Sequence, residues 1–86
     1  MHIVYILISA THPNRYYIGY TTNLKDRLIQ HNTKDSGYSK RYAPWQVVTY
    51  ITFNDSHNAL KFEKYLKAGS GQAFLKKHLL PENSAK

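Results

Sequence analysis

Two short tyrosine-bearing apolar runs near the start of this chain constrain its fold more than any later segment. The first is Ile3-Val4-Tyr5-Ile6-Leu7 and the second is Tyr16-Tyr17-Ile18-Gly19-Tyr20. β-Branched and aromatic side chains favour extended backbone. Between the runs lies Thr11-His12-Pro13-Asn14-Arg15, a turn signal. Residues 3–8 and 16–20 are therefore expected to be two strands of an antiparallel hairpin. A short turn would let the rings of Tyr5 and Tyr17 approach on one sheet face.

The pattern then changes to a helical one. Asn23 is a good N-cap, with Asp26 three residues later in the capping-box position. Leu24 and Leu28, with Ile29 as a further member, give this helix an apolar stripe, and it should end near Asn32. A polar, turn-rich stretch over 33–44 follows. Trp45 to Phe53 is apolar at most positions and reads as a central strand. Asp55 or Ser56 can cap a second helix running to about Lys67. Ala68-Gly69-Ser70-Gly71 breaks it, and Ser70 can cap a short third helix from Gln72 to His78. The expected architecture is α+β in the order β-β-α-β-α-α. A small, three-stranded, mainly antiparallel sheet would be flanked by three helices. One domain over 1–80 and a tail over 81–86 account for the chain.

An 86-residue chain has room for a single modest core. It has no cysteine, so disulfides and thiolate metal ligands are excluded. No apolar run approaches the roughly 18 residues that span a bilayer, and Met1-His2 leads straight into the first strand without a leader pattern. The cytoplasm is the expected compartment. The formal charge is +7, from 12 Lys and Arg against 5 Asp and Glu. That bias favours a polyanionic partner such as nucleic acid, because binding releases counterions from phosphates. An anionic membrane surface or an acidic protein would draw on the same charge.

A few polar groups are placed where chemistry is possible. Arg27 and His31, at i and i+4, share one helical face. Arg27 flanks the buried stripe, where a guanidinium can aim a bidentate fork at a phosphate. Glu63 is the lone carboxylate within its helix. One carboxylate suits a single Mg²⁺ that keeps most of its waters, with Mn²⁺ as a substitute, and not a two-metal site. Each group also has a plain reading: structural tyrosines, a snorkelling arginine, a surface histidine, and a Glu63–Lys67 pair at i+4. No histidine spacing resembles a zinc site, and no phosphate-binding glycine loop is present. Lys34, Tyr38, Lys40, Arg41 and Tyr42 interleave charge with aromatic rings, as in segments that touch a phosphate backbone or stack on a base. Lys67 and Lys76 extend that basic surface.

In these residues the chain resembles the GIY-YIG nuclease superfamily, specifically its small stand-alone members. The first name-giving motif appears as Ile3-Val4-Tyr5, which keeps the tyrosine but not the glycine. The second appears intact as Tyr17-Ile18-Gly19, with Gly19 structural. The family arginine matches Arg27, the histidine one turn later matches His31, and the metal-binding glutamate matches Glu63. The resemblance extends through Gly69 to Lys77 and covers nearly the whole chain. It implies metal-dependent hydrolysis of DNA phosphodiester bonds by an endonuclease, nicking or structure-selective, in a repair setting. A divalent ion on Glu63 would hold a non-bridging oxygen and the departing 3′ oxygen. A tyrosinate would deprotonate the attacking water, with Tyr5 as base and Tyr17 as its hydrogen-bonding partner, or the reverse. Arg27 would neutralise charge on the phosphorane, and His31 would orient a tyrosine or the water. The late asparagine of many relatives has no match, so Gln72 or Ser70 would stand in for it. No added recognition domain is expected, which implies weak activity, dimerisation or a targeting protein. A monomer or weak homodimer is expected. The alternative is a nucleic-acid-binding module with this fold and little turnover.

Overall fold

The computed structural model describes residues 1–33 and 40–81. The first hairpin pairs β1 (His2–Ser9) with β2 (Tyr16–Thr21) in antiparallel register, Tyr5 opposite Gly19 and Leu7 opposite Tyr17. The third strand, β3 (Trp45–Phe53), runs antiparallel along the other side of β1, giving the order β2-β1-β3. The sheet is thus wholly antiparallel. The expectation that residues 45–53 form the central strand is corrected: β1 lies in the middle and β3 forms an edge. Burial gives the reason. Val4 to Ser9 are buried without a break, so β1 must be covered on both faces. Gln46, Tyr50 and Thr52 of β3 face solvent. An irregularity between Ile6 and Leu7 shifts the β1–β3 register by one residue.

Helices cover the two faces unequally. α1 (Leu24–Thr33) lies on one side, where Tyr5, Leu7 and Trp45 are buried against Tyr17, Leu24 and Leu28. Its start follows the capping logic: Asn23 Oδ1 accepts from the Asp26 amide at 3.1 Å, and Asn23 Nδ2 donates to Asp26 Oδ2 at 3.0 Å. Ile29 does not join the stripe and is exposed. On the opposite face, α2 (Ser56–Leu66) and α3 (Gly69–Phe74) close a second layer around Val4, Ile6, Ile18, Ala59, Leu66 and Leu75. Asp55 is the cap of α2, its carboxylate accepting from the Asn58 amide at 2.7 Å.

The third helix begins three residues earlier than expected. Ala68 occupies its cap without a side-chain bond, Ser70 lies inside it, and the chain passes into a π-helical turn over Leu75–Leu79. The cause is a close approach. A Cβ on Gly71 would collide with the Tyr65 carbonyl and come within 2.9 Å of Leu66 Cα. The bare glycine therefore lets α3 dock directly on the last turn of α2. Of the expected tail over 81–86, Pro81 is exposed and outside any helix or strand, and the rest lies outside the described residues. Among the described residues no helix is long and apolar enough to cross a membrane.

Candidate active site

Strand alternation places Tyr5 and Tyr17 on the face that α1 covers. Across the pair, Gly19 offers no side chain, and the Tyr5 ring occupies that space. A Cβ at Gly19 would overlap Tyr5 Cζ and the hydroxyl and come within 2.9 Å of Cε2. Gly19 is therefore a seat for the tyrosine rather than a turn residue. The rings of Tyr5 and Tyr17 stack with centroids 6.4 Å apart and planes 19° from parallel.

α1 brings the next two groups. His31, only 4% exposed, shares a 3.0 Å hydrogen bond between its Nε2 and the Tyr5 hydroxyl. Its ring meets the edge of Tyr17 at 4.5 Å between centroids. Tyr5 thus hydrogen-bonds to His31 and not to Tyr17, which meets both residues ring to ring. Arg27, one turn earlier, is half-buried beside Tyr5.

The Tyr5 phenol is 1% exposed, and its pKa is pushed up to about 12. Burial is the main cause, because an apolar setting penalises phenolate. The neighbouring Tyr17 adds to it. Arg27 works the other way, through its charge and through hydrogen bonding, and Glu63 raises the value slightly. Glu63 reaches this neighbourhood from α2. Its Oε2 accepts from Lys67 Nζ at 3.0 Å, with the lysine side chain 53% and the glutamate 19% exposed. Sequence spacing foresaw that i+4 pair.

Among the described residues no three His, Cys, Asp or Glu side chains converge on one point. Glu63 is the carboxylate whose charge is felt at Tyr5, and it lies at a partly exposed rim. A hard ion that keeps most of its waters and leans on phosphate oxygens fits such a donor set. A zinc cage does not.

Gln72, a candidate stand-in for the missing asparagine, lies elsewhere. It accepts from the Tyr16 hydroxyl at 2.6 Å and donates to the Leu66 carbonyl at 2.7 Å, bracing α3 against β2 and α2 on the other face. Lys40 and Arg41 are exposed, Tyr42 is half-buried, and Lys76 is exposed on the π-helical turn. Lys34 and Tyr38 lie outside the described residues.

Two further residues position the site and carry no signal in the sequence. Asn32 follows His31 and grips the main chain of Trp45: its Oδ1 accepts from the Trp45 amide at 2.6 Å and its Nδ2 donates to the Trp45 carbonyl at 3.3 Å. Trp45, 2% exposed, in turn meets the edge of Tyr17 at 6.4 Å between centroids. This link fixes the end of α1 to the start of β3 and so holds His31 over the tyrosines. An asparagine at a helix end does not announce such a role, because its partner lies 13 residues away.

Residues 1–78 match the GIY-YIG catalytic domain. The chain is 42% identical over 59 residues to a structure-specific endonuclease subunit SLX1 homolog of Giardia intestinalis, covering 64% of this chain and 16% of that protein. It is 44% identical over 70 residues to the SLX1 homolog of Brugia malayi, covering 70% of this chain and 21% of that one. It therefore spans about a fifth or less of those relatives. A UPF0213 protein of Staphylococcus haemolyticus is closer in size: 34% identity over 73 residues covers 84% of this chain and 89% of that protein. The solution NMR structure of a UPF0213 protein from Bacillus halodurans shares the fold, with a TM-score of 0.55 and 24% identity over 99% of this chain and 93% of that one. With its first 78 residues matched almost end to end, the chain belongs to the GIY-YIG catalytic domain family.

Proposed function

We propose that this protein is a metal-dependent endonuclease that hydrolyses DNA phosphodiester bonds. The buried Tyr5–His31 hydrogen bond with Arg27 beside it carries this reading. A structural tyrosine normally sends its hydroxyl to solvent or to backbone. Here it is bonded to an imidazole next to a guanidinium, as an acid–base pair beside an anion site would be.

The chemistry follows from the proton positions. At a pKa of about 12, phenolate amounts to only about one part in 10⁵ at pH 7. Tyr5 Oη therefore takes the proton of the attacking water as its own proton passes to His31 Nε2. Tyr17 packs against both rings and keeps them in line. Arg27 neutralises the charge that develops on the phosphoryl oxygens. The water oxygen bonds to phosphorus, the bond from phosphorus to the 3′ oxygen breaks, that oxygen takes a proton from solvent water, and the products carry 5′-phosphate and 3′-hydroxyl ends. Glu63 is the residue that would hold Mg²⁺ or Mn²⁺ once Lys67 moves aside, and the ion supplies Lewis-acid stabilisation of the phosphate and leaving oxygen.

Branched or nicked DNA is the substrate class we favour, in a repair setting, since SLX1 relatives are named structure-specific endonuclease subunits. The word subunit also points to a targeting protein as partner. A chain with one site would nick one strand per visit, as a monomer or weak homodimer.

One observation favours a binding module with little turnover: the Lys67 ammonium already occupies Glu63. The two readings separate on labelled single-stranded, duplex, nicked, flap and four-way DNA, with Mg²⁺, Mn²⁺ or chelator. Ion-dependent cuts that vanish in Glu63→Gln and Arg27→Ala support the nuclease. Salt-sensitive binding with intact DNA under every condition refutes it.

A further inference from the structure

A second cluster of polar groups lies outside the candidate active site, where the β1–β2 turn meets the segment before β3. Tyr42 is its centre. The Arg15 guanidinium carbon lies 5.1 Å from the Tyr42 ring centroid and that of Arg41 lies 5.7 Å from it. The His12 ring meets the same tyrosine edge-on at 4.9 Å. Among the described residues neither guanidinium meets a carboxylate, since the one ion pair is Lys67–Glu63. Two cations are thus gathered on one ring, at most about 11 Å apart, with no carboxylate paired to either among the described residues.

The arrangement is built into the fold. Ser9, 2% exposed, accepts from the Thr11 and His12 amides at 3.3 and 3.0 Å and donates to the Tyr42 carbonyl at 2.5 Å. The Ala10 amide donates to the Pro44 carbonyl at 2.9 Å. These bonds stitch the turn to the segment that carries Arg41 and Tyr42. The turn borders an open surface pocket of about 550 Å³, lined in part by His12 and Arg15. A guanidinium seated on an aromatic face loses rotamer freedom but keeps its N–H edge for a planar acceptor.

Resting on the nucleic-acid reading above, we propose that Arg15 and Arg41, seated on Tyr42, form a phosphate-gripping subsite for the DNA backbone beside the cleavage position. Its location fits a continuous track. Tyr42 and Tyr17 belong to the same packed layer, and Arg15 precedes Tyr17 by two residues, about 7 Å of extended chain. The role of Tyr42 is to position the arginines; with two guanidiniums over its ring, it is not a platform for a base.

The test is fluorescence anisotropy of a labelled duplex in chelator, which removes cleavage from the measurement, across about 50 to 200 mM salt. Arg15→Ala/Arg41→Ala should bind roughly tenfold more weakly, and its plot of log affinity against log salt should be shallower by about 0.9 for each phosphate no longer neutralised. Tyr42→Leu should bind as weakly as the double variant even with both arginines present, and Tyr42→Phe should restore binding. Both arginines are exposed, so the double variant should fold even where Tyr42→Leu does not. Wild-type affinity and slope in the double variant would overturn the subsite. Equal weakening by Tyr42→Phe and Tyr42→Leu would overturn the role of the ring. A wild-type protein that binds but never cuts with added Mg²⁺ refutes the nuclease reading alone and leaves the subsite standing on these same comparisons.

Discussion

Replacing Gly19 with alanine adds one methyl group where the Tyr5 ring now lies. Ordinary contact between carbons needs about 3.5–4.0 Å, and the new Cβ would start inside that distance from Cζ, Cε2 and the hydroxyl. The ring must retreat by on the order of 1 Å. It has nowhere to go, because Tyr5 is 1% exposed and packed among Leu7, Trp45 and Tyr17. Overpacking of this kind costs about 1–3 kcal/mol, and stretching the Tyr5–His31 bond adds about 1 kcal/mol. Alanine returns about 0.5–1 kcal/mol of the entropy that glycine forfeits in a strand. The net loss is about 2 kcal/mol, a fall in Tm of roughly 10 °C for a domain of this size. Cleavage should fall further than stability does, by about 100-fold, because a 1 Å displacement of a reacting group has that order of effect. Circular dichroism melts and a nicking assay on folded protein separate the two effects. Gly69→Ala is the control, since a Cβ there meets nothing within 4 Å. A Gly19→Ala protein that melts and cuts like wild type would refute the seating of Tyr5 on Gly19.

Other perturbations reach different parts of the molecule. Gly71→Ala should destabilise more than Gly19→Ala, by about 3 kcal/mol or more, because its Cβ meets backbone that cannot rotate away; chemical denaturation measures this. Tyr5 is held neutral in the fold up to about 12, while a free phenol titrates near 10. Its contribution to stability is therefore full below about pH 10 and is lost as pH rises toward 12, so denaturant melts across that window should fall more steeply for wild type than for Tyr5→Phe. Arg27→Gln removes the charge that opposes this shift, and an absorbance titration should then place the Tyr5 transition higher still. Asn32→Ala removes the side-chain bonds to the Trp45 amide and carbonyl, which should cost about 1–2 kcal/mol and loosen His31, read as a broadened imidazole signal in NMR. Glu63→Gln should abolish cleavage yet shift stability by less than about 0.5 kcal/mol, because an i,i+4 pair at the surface contributes little.

Short-range rules located much of this fold. The Asn23 cap, the Asp55 cap and the Glu63–Lys67 pair each depend on residues three or four apart, and each appears where spacing placed it. Features set by distant contacts were not legible. Trp45–Phe53 reads as a central strand because it is apolar, but sheet order depends on which strand can be buried on both faces, and that strand is β1. The early start of α3 depends on Gly71 meeting the Tyr65 carbonyl, a packing event that its own glycine-rich sequence disguises as a break. Tyr5, Tyr17, Arg27, His31 and Glu63 stand out by their spacing, and the family resemblance implies their roles. The residues themselves did not say that the Tyr5 hydroxyl would turn to His31, or that Asn32 would anchor the helix that carries it.

The central position of β1 bears on how the protein opens. Strands paired on both edges and covered on both faces exchange their amide hydrogens only in the rarest, most global openings, whereas short terminal helices open often. Tyr5 stands in the middle of such a strand. α3 and the π-helical turn pack on the sheet face opposite Tyr5, through Gln72 and Leu75. Transient detachment of that C-terminal layer would thus leave the tyrosine on its foundation. In hydrogen-exchange terms, the amide of the proposed general base should belong to the slowest-exchanging set in the molecule.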